Sequence, residues 1–268
     1  MNYPNISPTI LKLGSLEIRW YGVLYIIAFI ICFIFLKKLF KYRETNLSKE
    51  RYDNLLSNIM LGVIIGGRLG YVVFYNFGYY FHHPLEIILP FSFTNGFTFT
   101  GFQGMSFHGG ALGVIIAGLI FCKKNKLNFY QLADATAPLV AIGLGLGRIG
   151  NFINCELWGR ITTKPWGMIF PNGGDFPRHP SQLYEALLEG LLLFFILFFI
   201  LKNTRKNGVV FWSFIGFYGI FRFLIEFVRE PDEHLGFFLK TFTMGQILSS
   251  FMIVSAIMAL NLLFKNEK

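Results

Sequence analysis

The sequence is poor in charge and in cysteine. Aspartate, glutamate, lysine and arginine together make up only 15% of its 268 residues, too few to cover the surface of a soluble particle of this size. The three cysteines, Cys32, Cys122 and Cys155, are too few and too scattered for a disulfide scaffold or a CxxC metal site. We therefore expect a fold without disulfides and one that is not water-soluble.

The apolar content is correspondingly high. Hydrophobic residues make up 54% of the chain, 33 residues are phenylalanine, and the mean hydropathy is +0.52. One aqueous core cannot bury so many large side chains, so lipid has to be part of the solvent. Residues 1–16 carry only Lys12 and no basic region ahead of the first apolar run. We therefore expect no cleaved signal peptide.

Seven apolar segments have the length of a membrane-spanning helix, which needs roughly 20 residues. They are about Trp20–Leu36, Leu55–Tyr75, His108–Cys122, Leu132–Asn151, Ser181–Leu201, Val209–Phe227 and Met244–Phe264. The third segment is short and the fourth is rich in glycine. No internal repeat divides the chain, so we predict an all-α, polytopic membrane protein with seven transmembrane helices in one domain, residues 1–268.

Basic residues follow alternate spans, and these clusters contain 14 of the 24 lysines and arginines. They are Lys37, Lys38, Lys41, Arg43, Lys49, Arg51, Lys123, Lys124, Lys126, Lys202, Arg205, Lys206, Lys265 and Lys268. Such residues near helix ends stay preferentially in the cytoplasm. This predicts an outside N-terminus, an inside C-terminus and irregular periplasmic loops at Phe77–Gly104 and Leu157–Pro180. Membrane orientation explains the net charge of +9 without a nucleic-acid partner.

Three arginines lie inside or at the edge of apolar spans: Arg68, Arg148 and Arg222. A charge at the centre of a bilayer costs about 3 kcal/mol even on lenient insertion scales, so each position needs a reason. Each arginine can extend to the lipid headgroups or pair with an acid for packing alone. Packing can explain any one of these arginines. It is a weaker explanation for the presence of all three.

The sixth span carries four polar residues on one helix face. Tyr218, Arg222, Glu226 and Arg229 are spaced by 4, 4 and 3 residues. Arg222 and Glu226 at i,i+4 can be a purely structural pair, but Arg229 then remains as an excess charge. The pattern predicts a cationic face at headgroup depth. Such a face suits a phosphate, because guanidinium binds phosphate through paired hydrogen bonds.

The fourth span ends in a run of glycine, arginine, asparagine and glutamate, residues 147–160. Gly145, Gly147 and Gly150 have the spacing of a dinucleotide-binding fingerprint. We reject that interpretation because no strand or βαβ unit surrounds them. Gly143, Gly147 and Gly150 instead predict close helix packing or a break in the helix.

His108 lies at the outer start of the third span, between Phe107 and Gly109. Its ring can take up a proton near neutral pH, and a merely hydrogen-bonded interfacial histidine fits the spacing equally well. No histidine has a partner at i,i+4, so we expect no metal site. Cys155 has no neighbour that would make it a thiolate, so we interpret it as a packing residue.

At these residues the chain resembles the prolipoprotein diacylglyceryl transferases over almost its full length. Residues Gly147–Gly159 satisfy the family signature G-R-x-G-N-F-x-N-x-E-x-x-G without exception. Further similar motifs follow in the same order: Arg19–Gly22, Gly66–Tyr71, His108–Gly110, His179–Glu185, and Tyr218–Gly219 through Arg222, Glu226, Arg229, Pro231 and Asp232. The resemblance implies a seven-helix bundle in the bacterial inner membrane with its active site toward the periplasm.

The resemblance also implies a reaction. The diacylglyceryl group of phosphatidylglycerol, a membrane lipid, moves to the lipobox cysteine thiol of a prolipoprotein signal peptide, and no cofactor is expected. With this resemblance, Arg148 and Arg222 are expected to hold the phosphate and His108 to accept the thiol proton or orient the headgroup. The supporting substrate contacts are expected from Tyr21, Arg68, Asn151, Glu156, Gly159, Tyr218, Glu226 and Arg229.

Two other classes of protein fit part of the pattern. A transporter or channel for an organic anion would line its path with the arginines, but it predicts polar residues through to the cytoplasmic side. Here spans one, five and seven are almost wholly apolar toward the inside. A lipid-binding scaffold without chemistry would explain the arginines but not a titratable His108.

Overall fold

The computed structural model of the chain describes residues 1–14, 16–45, 47–89, 91–92, 98–99, 104–230, 237–238 and 242–265. Pro231 and Asp232 of the last motif, Lys268 and most of residues 90–103 lie outside this described part. The chain forms two compact units. The first unit contains Met1–Thr45 and Ala133–Lys268, and the second contains Asn46–Leu132.

Helices make up most of the described residues. They are α1 (Trp20–Tyr42), α2 (Lys49–Tyr75), α3 (Phe77–His82), α4 (Phe107–Asn125), α5 (Phe129–Ile153), α6 (Ser181–Glu185), α7 (Leu193–Asn203), α8 (Val209–Ile225) and α9 (Met244–Lys265). A π-helical segment, Ala186–Leu192, connects α6 to α7 in one continuous helix, Ser181–Asn203. A single 3₁₀ turn, Pro84–Ile87, follows α3.

In the described part of the chain, five helices are long and apolar enough to cross a membrane. They are Trp20–Tyr42, Lys49–Tyr75, Phe129–Ile153, Ser181–Asn203 and Met244–Lys265. Each of the five covers one of the predicted spans, and α4 and the shorter apolar helix α8 occupy the positions of the other two. The prediction of a mostly helical protein with several apolar helices of membrane-spanning length is confirmed.

The chain also contains short strands that the all-α prediction did not include. They pair as antiparallel hairpins: β1 (Thr9–Leu13) with β2 (Leu16–Arg19), β3 (Phe91–Ser92) with β4 (Thr98–Phe99), and β5 (Phe237–Phe238) with β6 (Phe242–Thr243). In the first hairpin, the Glu17 carboxylate lies 3.0 Å from both Lys12 Nζ and Arg19 Nη2. These cations lower the pKa of Glu17.

A buried ion pair joins several helix ends of the first unit. Arg43 Nη2 lies 3.0 Å from Asp134 Oδ2, and the two side chains are 1% and 0% exposed. Asp134 also accepts hydrogen bonds from the backbone nitrogens of Gly208 and Phe211, each at 2.7 Å. Charges this deeply buried need partners. The contacts place the end of α1, the start of α5 and the start of α8 at one end of the unit.

The N-terminal residues cover the other end of α5. Tyr3 packs with Phe152, Cys155 and Phe170 in a buried cluster, and its hydroxyl donates to the carbonyl oxygen of Phe152 at 3.2 Å. Burial raises the pKa of Tyr3. Cys155 is 9% exposed here, as expected for a packing residue. The N-terminal residues and the Arg43 pair therefore lie at opposite ends of α5.

In the second unit, α2 and α4 pack backbone against backbone through glycines. A Cβ on Gly66 would lie 2.4 Å from the carbonyl oxygen of Gly109, and one on Gly113 would lie 2.0 Å from that of Gly62. Only glycine fits such contacts, which are typical of helix pairs in membranes. The packing fixes the start of α4, where His108 precedes Gly109.

Candidate active site

Six charged side chains gather inside the first unit. They are Arg148 on α5, Glu185 at the end of α6, Glu189 in the π-helical segment, Arg222 on α8, and Glu226 and Arg229 just after α8. We call them the Arg–Glu cluster. Three helical segments far apart in sequence contribute to it, so the cluster exists only in the folded unit.

Glu185 contacts all three arginines of the cluster. One of its carboxylate oxygens, Oε2, lies 2.6 Å from Arg148 Nε and 3.5 Å from Arg222 Nη1. The other oxygen lies 4.0 Å from Arg229 Nε. These contacts are ion pairs, because neither Glu185 oxygen accepts a hydrogen bond of normal geometry within the described residues. Glu185 is therefore the central acid of the cluster.

The other two glutamates extend the cluster on either side. Glu189 lies 3.6 Å from Arg148 Nη2 and 3.9 Å from Arg222 Nη1. Glu226 Oε1 lies 2.6 Å from Arg222 Nη2 and 3.6 Å from Arg229 Nη1. The Arg222–Glu226 contact is the i,i+4 pair expected from the sequence. Arg222 is therefore held by carboxylates from two helices.

Exposure differs systematically between the acids and the bases of the cluster. The side chains of Glu185, Glu189 and Glu226 are 1%, 0% and 2% exposed, whereas those of Arg148 and Arg222 are 18% and 15% exposed. The three carboxylates are thus the most deeply buried groups of the cluster, and the side chains of Arg148 and Arg222 are its more exposed members.

The charges of the cluster cancel, because three arginines face three glutamates. The expectation that Arg229 remains as an excess charge does not hold, because Glu185 and Glu226 lie 4.0 and 3.6 Å from it. That expectation counted only the acids on the sixth span and missed Glu185 and Glu189 on the fifth. Burial explains the balance, since a buried unpaired charge is strongly destabilising.

Close backbone packing brings Arg148 to these glutamates. A Cβ on Gly145 would lie 3.0 Å from the Cα of Gly190, which is in the π-helical segment. π-helical turns are rare and occur often at functional sites. Of the glycines for which close packing was predicted, Gly150 has it, whereas a Cβ on Gly143 or Gly147 would have no neighbour nearer than 3.9 Å. No break occurs, because α5 continues through Ile153.

The start of α9 holds Glu226 in place. Thr243 Oγ1 donates to Glu226 Oε2 at 2.5 Å and accepts from the backbone nitrogen of Gln246 at 3.1 Å. Gln246 Oε1 accepts from the backbone nitrogen of Thr243 in return, which makes a reciprocal capping box. A Cβ on Gly245 would lie 2.6 Å from Glu226 Cδ. Glu226 therefore depends on a glycine and a threonine for its position.

Gly159 acts through its backbone. A Cβ at this position would lie 2.5 Å from the carbonyl oxygen of Val228, so no larger residue fits. The next residue, Arg160, donates from its backbone nitrogen to that carbonyl at 2.8 Å. Its guanidinium donates to the carbonyl oxygens of Glu226 and Arg229 at 3.1 and 3.0 Å. This part of the signature thus holds the segment that carries Glu226 and Arg229.

Asn151 and Glu156 form a separate contact at the end of α5. Asn151 is 8% exposed, and its Nδ2 donates to Glu156 Oε1 at 2.8 Å. Gln182 Nε2 donates to the Glu156 carbonyl oxygen at 2.7 Å, which joins this turn to α6. The two signature residues therefore order the turn between α5 and the outer loop.

Two tyrosines of the predicted set also lie in the first unit. Tyr218 hydrogen-bonds to Arg148 through its side chain. The ring of Tyr21 packs on Gly150, where a Cβ would lie 2.7 Å from Tyr21 Cδ2. The Tyr21 hydroxyl lies 3.1 Å from that of Tyr25. Tyr218 thus belongs with the Arg–Glu cluster, and Tyr21 joins α1 to α5.

Arg68 and His108 belong to the second unit. Arg68 donates through Nε to the carbonyl oxygen of Ile87 at 2.9 Å and through Nη2 to that of Glu86 at 2.5 Å. Its guanidinium also stacks over the Tyr80 ring, 4.9 Å from the centroid. His108 is exposed in the first turn of α4. Their substrate roles remain predictions.

A cleft of about 390 Å³ is lined chiefly by residues of the same segments that carry the Arg–Glu cluster. Its lining is mostly apolar and consists of Trp166, His179, Tyr184, Leu188, Leu224, Ile225 and Val228. Trp166 Nε1 donates to the Tyr184 hydroxyl at 2.7 Å. Burial and the nearby charge of Lys164 lower the pKa of His179. Four lining residues immediately precede or follow a charged residue of the cluster in sequence.

Comparison with known proteins shows the family to which the chain belongs. The family model for prolipoprotein diacylglyceryl transferase matches residues 8–262. A phosphatidylglycerol–prolipoprotein diacylglyceryl transferase of Geobacter sulfurreducens is 51% identical over 93% of this chain and 92% of its own length. One of Aliivibrio salmonicida, with the same name, is 48% identical over 100% of this chain and 91% of its own. The chain therefore belongs to the prolipoprotein diacylglyceryl transferase family.

Proposed function

We propose that the chain transfers the diacylglyceryl group of phosphatidylglycerol to the lipobox cysteine of a prolipoprotein. A carbon–sulfur bond forms at the glyceryl carbon, and the bond from that carbon to the phosphate oxygen breaks. Glycerol phosphate leaves with the electron pair. The observation that carries the proposal is the partly exposed pair of arginines, Arg148 and Arg222, held by buried glutamates at the edge of apolar helices.

Arg148 and Arg222 stabilise the phosphate as it leaves. Negative charge grows on the phosphate during the reaction, and fixed guanidinium groups in a site of low dielectric constant stabilise such charge. The two groups come from α5 and α8, and Glu185 Oε2 contacts both. A phosphate with several oxygens can bind to both guanidinium groups at once.

His108 is the proposed acceptor of the thiol proton, or it orients the headgroup. The thiol has an ordinary pKa near 8.5, so it must lose its proton before it attacks. Imidazole is the side chain that most often acts as a general base, and His108 is exposed. His108→Gln tests this role, because an unchanged transfer rate across about pH 6 to 9 would exclude the imidazole as the base.

The remaining members of the proposed site support substrate binding. They are Tyr21, Arg68, Asn151, Glu156, Gly159, Tyr218, Glu226 and Arg229. Tyr218, Glu226 and Arg229 contact the two phosphate-binding arginines or their partners. Asn151, Glu156 and Gly159 shape the adjoining backbone, and Tyr21 contacts lipid from α1.

The proposed topology has seven crossings in a single domain of the bacterial inner membrane. The helices α4 and α8 complete the set, and the N-terminus lies outside and the C-terminus inside. The clusters of basic residues support this orientation. So does the arrangement of α5, whose two ends contact Arg43 and Tyr3 respectively. The Arg–Glu cluster then faces the periplasmic side.

Both substrates enter laterally from the bilayer. Phosphatidylglycerol is a membrane lipid, and a prolipoprotein carries an apolar signal peptide. The cleft in the first unit offers an apolar lining that includes Leu188, Leu224 and Val228. The acyl chains of the lipid and the apolar side chains of the signal peptide are more stable against such a lining than in water.

The deciding experiment incubates the purified protein with phosphatidylglycerol vesicles and a lipobox peptide. Transfer gives the peptide a mass gain of one diacylglyceryl group. Arg148→Ala or Arg222→Ala is expected to lower the rate about 100- to 1000-fold, while the exposed Arg205→Ala serves as control. Lipid binding without a mass gain would indicate a scaffold, and anion flux in proteoliposomes without lipid turnover would indicate a transporter.

A further inference from the structure

Glu185 and Glu189 have no role in the proposed chemistry, yet they are the most deeply buried acids near it. Both residues are 0% exposed, and they lie four residues apart on the Ser181–Asn203 helix. A buried carboxylate is costly unless it has partners, and substitution by apolar residues often stabilises a fold. Packing alone therefore gives no reason for two glutamates at these positions.

Glu185 sets the distance between guanidinium groups from two different helices. Its Oε2 lies 2.6 Å from Arg148 Nε and 3.5 Å from Arg222 Nη1. In the part of the chain that the structure describes, neither carboxylate oxygen of Glu185 accepts a hydrogen bond of normal geometry. The short distances therefore report an electrostatic attraction, which draws both guanidinium groups toward one carboxylate oxygen.

Glu189 supports the same arrangement from one turn further along. It lies 3.6 Å from Arg148 Nη2 and 3.9 Å from Arg222 Nη1. Within the described residues, neither of its carboxylate oxygens accepts a hydrogen bond of normal geometry. Its contribution is therefore electrostatic.

We propose that Glu185 is a positioning residue that holds Arg148 and Arg222 at the spacing at which one phosphate binds to both. Glu189 balances the charge of the two arginines in the lipid-free state. The proposal rests on the proposed function. The glutamates are more deeply buried than the arginines and contact the arginines rather than the lipid, so they act only through the guanidinium groups.

A positioning role has a kinetic signature that a packing role lacks. Glu185→Gln keeps the size of the side chain and removes its charge. The arginines remain and still attract the anionic headgroup, so the KM for phosphatidylglycerol is expected to change by less than about threefold. Their alignment in the transition state is lost, and kcat is expected to fall about 100-fold. Glu185→Asp keeps the charge and is expected to recover about tenfold of that loss.

The experiment compares the purified full-length protein with four variants: Glu185→Gln, Glu185→Asp, Glu189→Gln and Asp134→Asn. Transfer from labelled phosphatidylglycerol to a lipobox peptide gives kcat and KM, and thermal unfolding reports folding of each variant. Asp134→Asn is the matched control, because it removes an equally buried carboxylate paired with an arginine at the other end of α5. It is expected to lower thermal stability and to leave kcat within about threefold of wild type.

A folded Glu185→Gln variant with kcat within about threefold of wild type would overturn the proposal. The proposal would also be overturned if both Glu185→Gln and Asp134→Asn lost kcat in proportion to their loss of thermal stability. If Glu185→Gln does not fold, Glu185→Asp decides: a kcat about tenfold lower at unchanged KM supports positioning, and a wild-type kcat contradicts it. Absence of transfer by the wild-type protein would instead contradict the proposed function itself.

Discussion

Gly190 and Gly145 are in backbone contact, and a Cβ on Gly190 would lie 2.6 Å from the Cα of Gly145. Gly190 directly follows Glu189, and Gly145 precedes Arg148 by about one turn of α5. The contact between two residues without side chains therefore sets how closely Arg148 approaches the buried glutamates. A larger side chain at Gly190 would therefore change the distance between Arg148 and the buried glutamates.

The first prediction concerns that contact. Gly190→Ala is expected to move α5 away from the π-helical segment and to lengthen the contact between Arg148 and Glu185. The rate of diacylglyceryl transfer by the purified protein should fall about 10- to 100-fold. Gly78→Ala is the control, because a Cβ on Gly78 has no neighbour within 4 Å. Equal rates for the two variants would contradict the link.

A second prediction concerns the start of α9. Thr243→Val removes the hydroxyl that donates to Glu226 and accepts from Gln246, whereas Thr243→Ser keeps both hydrogen bonds. Loss of the cap alone costs about 1 kcal/mol. Thermal unfolding should therefore show a lower midpoint for the valine variant than for the serine variant. The valine variant should also be less active, because Glu226 no longer holds Arg222 in place.

The third prediction separates stability from activity. Asp134→Asn leaves the buried Arg43 without its charged partner, and such changes cost about 3 to 5 kcal/mol. Denaturation in detergent should show this loss, while the folded fraction keeps its KM for phosphatidylglycerol. A changed KM would mean that the ion pair also influences the Arg–Glu cluster.

The pH dependence of stability is the subject of the fourth prediction. Burial lowers the pKa of His179 in the folded protein below its ordinary value of 6.5. The unfolded chain therefore binds a proton more readily, and the contribution of neutral His179 to stability is complete above pH 6.5 and decreases as the pH falls below it. Thermal midpoints measured from about pH 8 to pH 5 should decline less for His179→Gln than for wild type. Parallel curves would contradict the assignment.

The sequence predicts the helices and the arginines well, for a physical reason. A run of about 20 apolar residues is easily recognised in a sequence as a membrane span. A charged residue within such a run is also conspicuous, because its cost in the membrane means that it needs a partner or a function. The Arg222–Glu226 pair that the i,i+4 spacing allows is present, with a contact of 2.6 Å. The positions of Arg148, Tyr218 and Arg229 near this pair also follow from the motifs.

The acids of the fifth span were missed, although a signal was present. Glu185 and Glu189 lie at i,i+4 in an apolar segment, where two carboxylates need partners as much as the arginines do. Their actual partners depend on contacts between helices, such as that of Gly145 with Gly190, and on a π-helical turn. Neither a contact between two helices nor a π-helical turn produces a periodic pattern in the sequence. The hairpins β3–β4 and β5–β6 are equally hard to predict, because their two-residue strands leave almost no alternation.

The balance of the Arg–Glu cluster has a consequence for biogenesis. Helices of a membrane protein emerge in chain order, so α5 brings one positive charge and the next helix brings two negative charges before α8 exists. Arg222 restores neutrality, Glu226 makes the sum negative again, and Arg229 completes the balance. A nascent chain interrupted before α8 thus retains an uncompensated carboxylate among its apolar helices, which makes it a poor candidate for stable insertion and a good substrate for quality-control proteases.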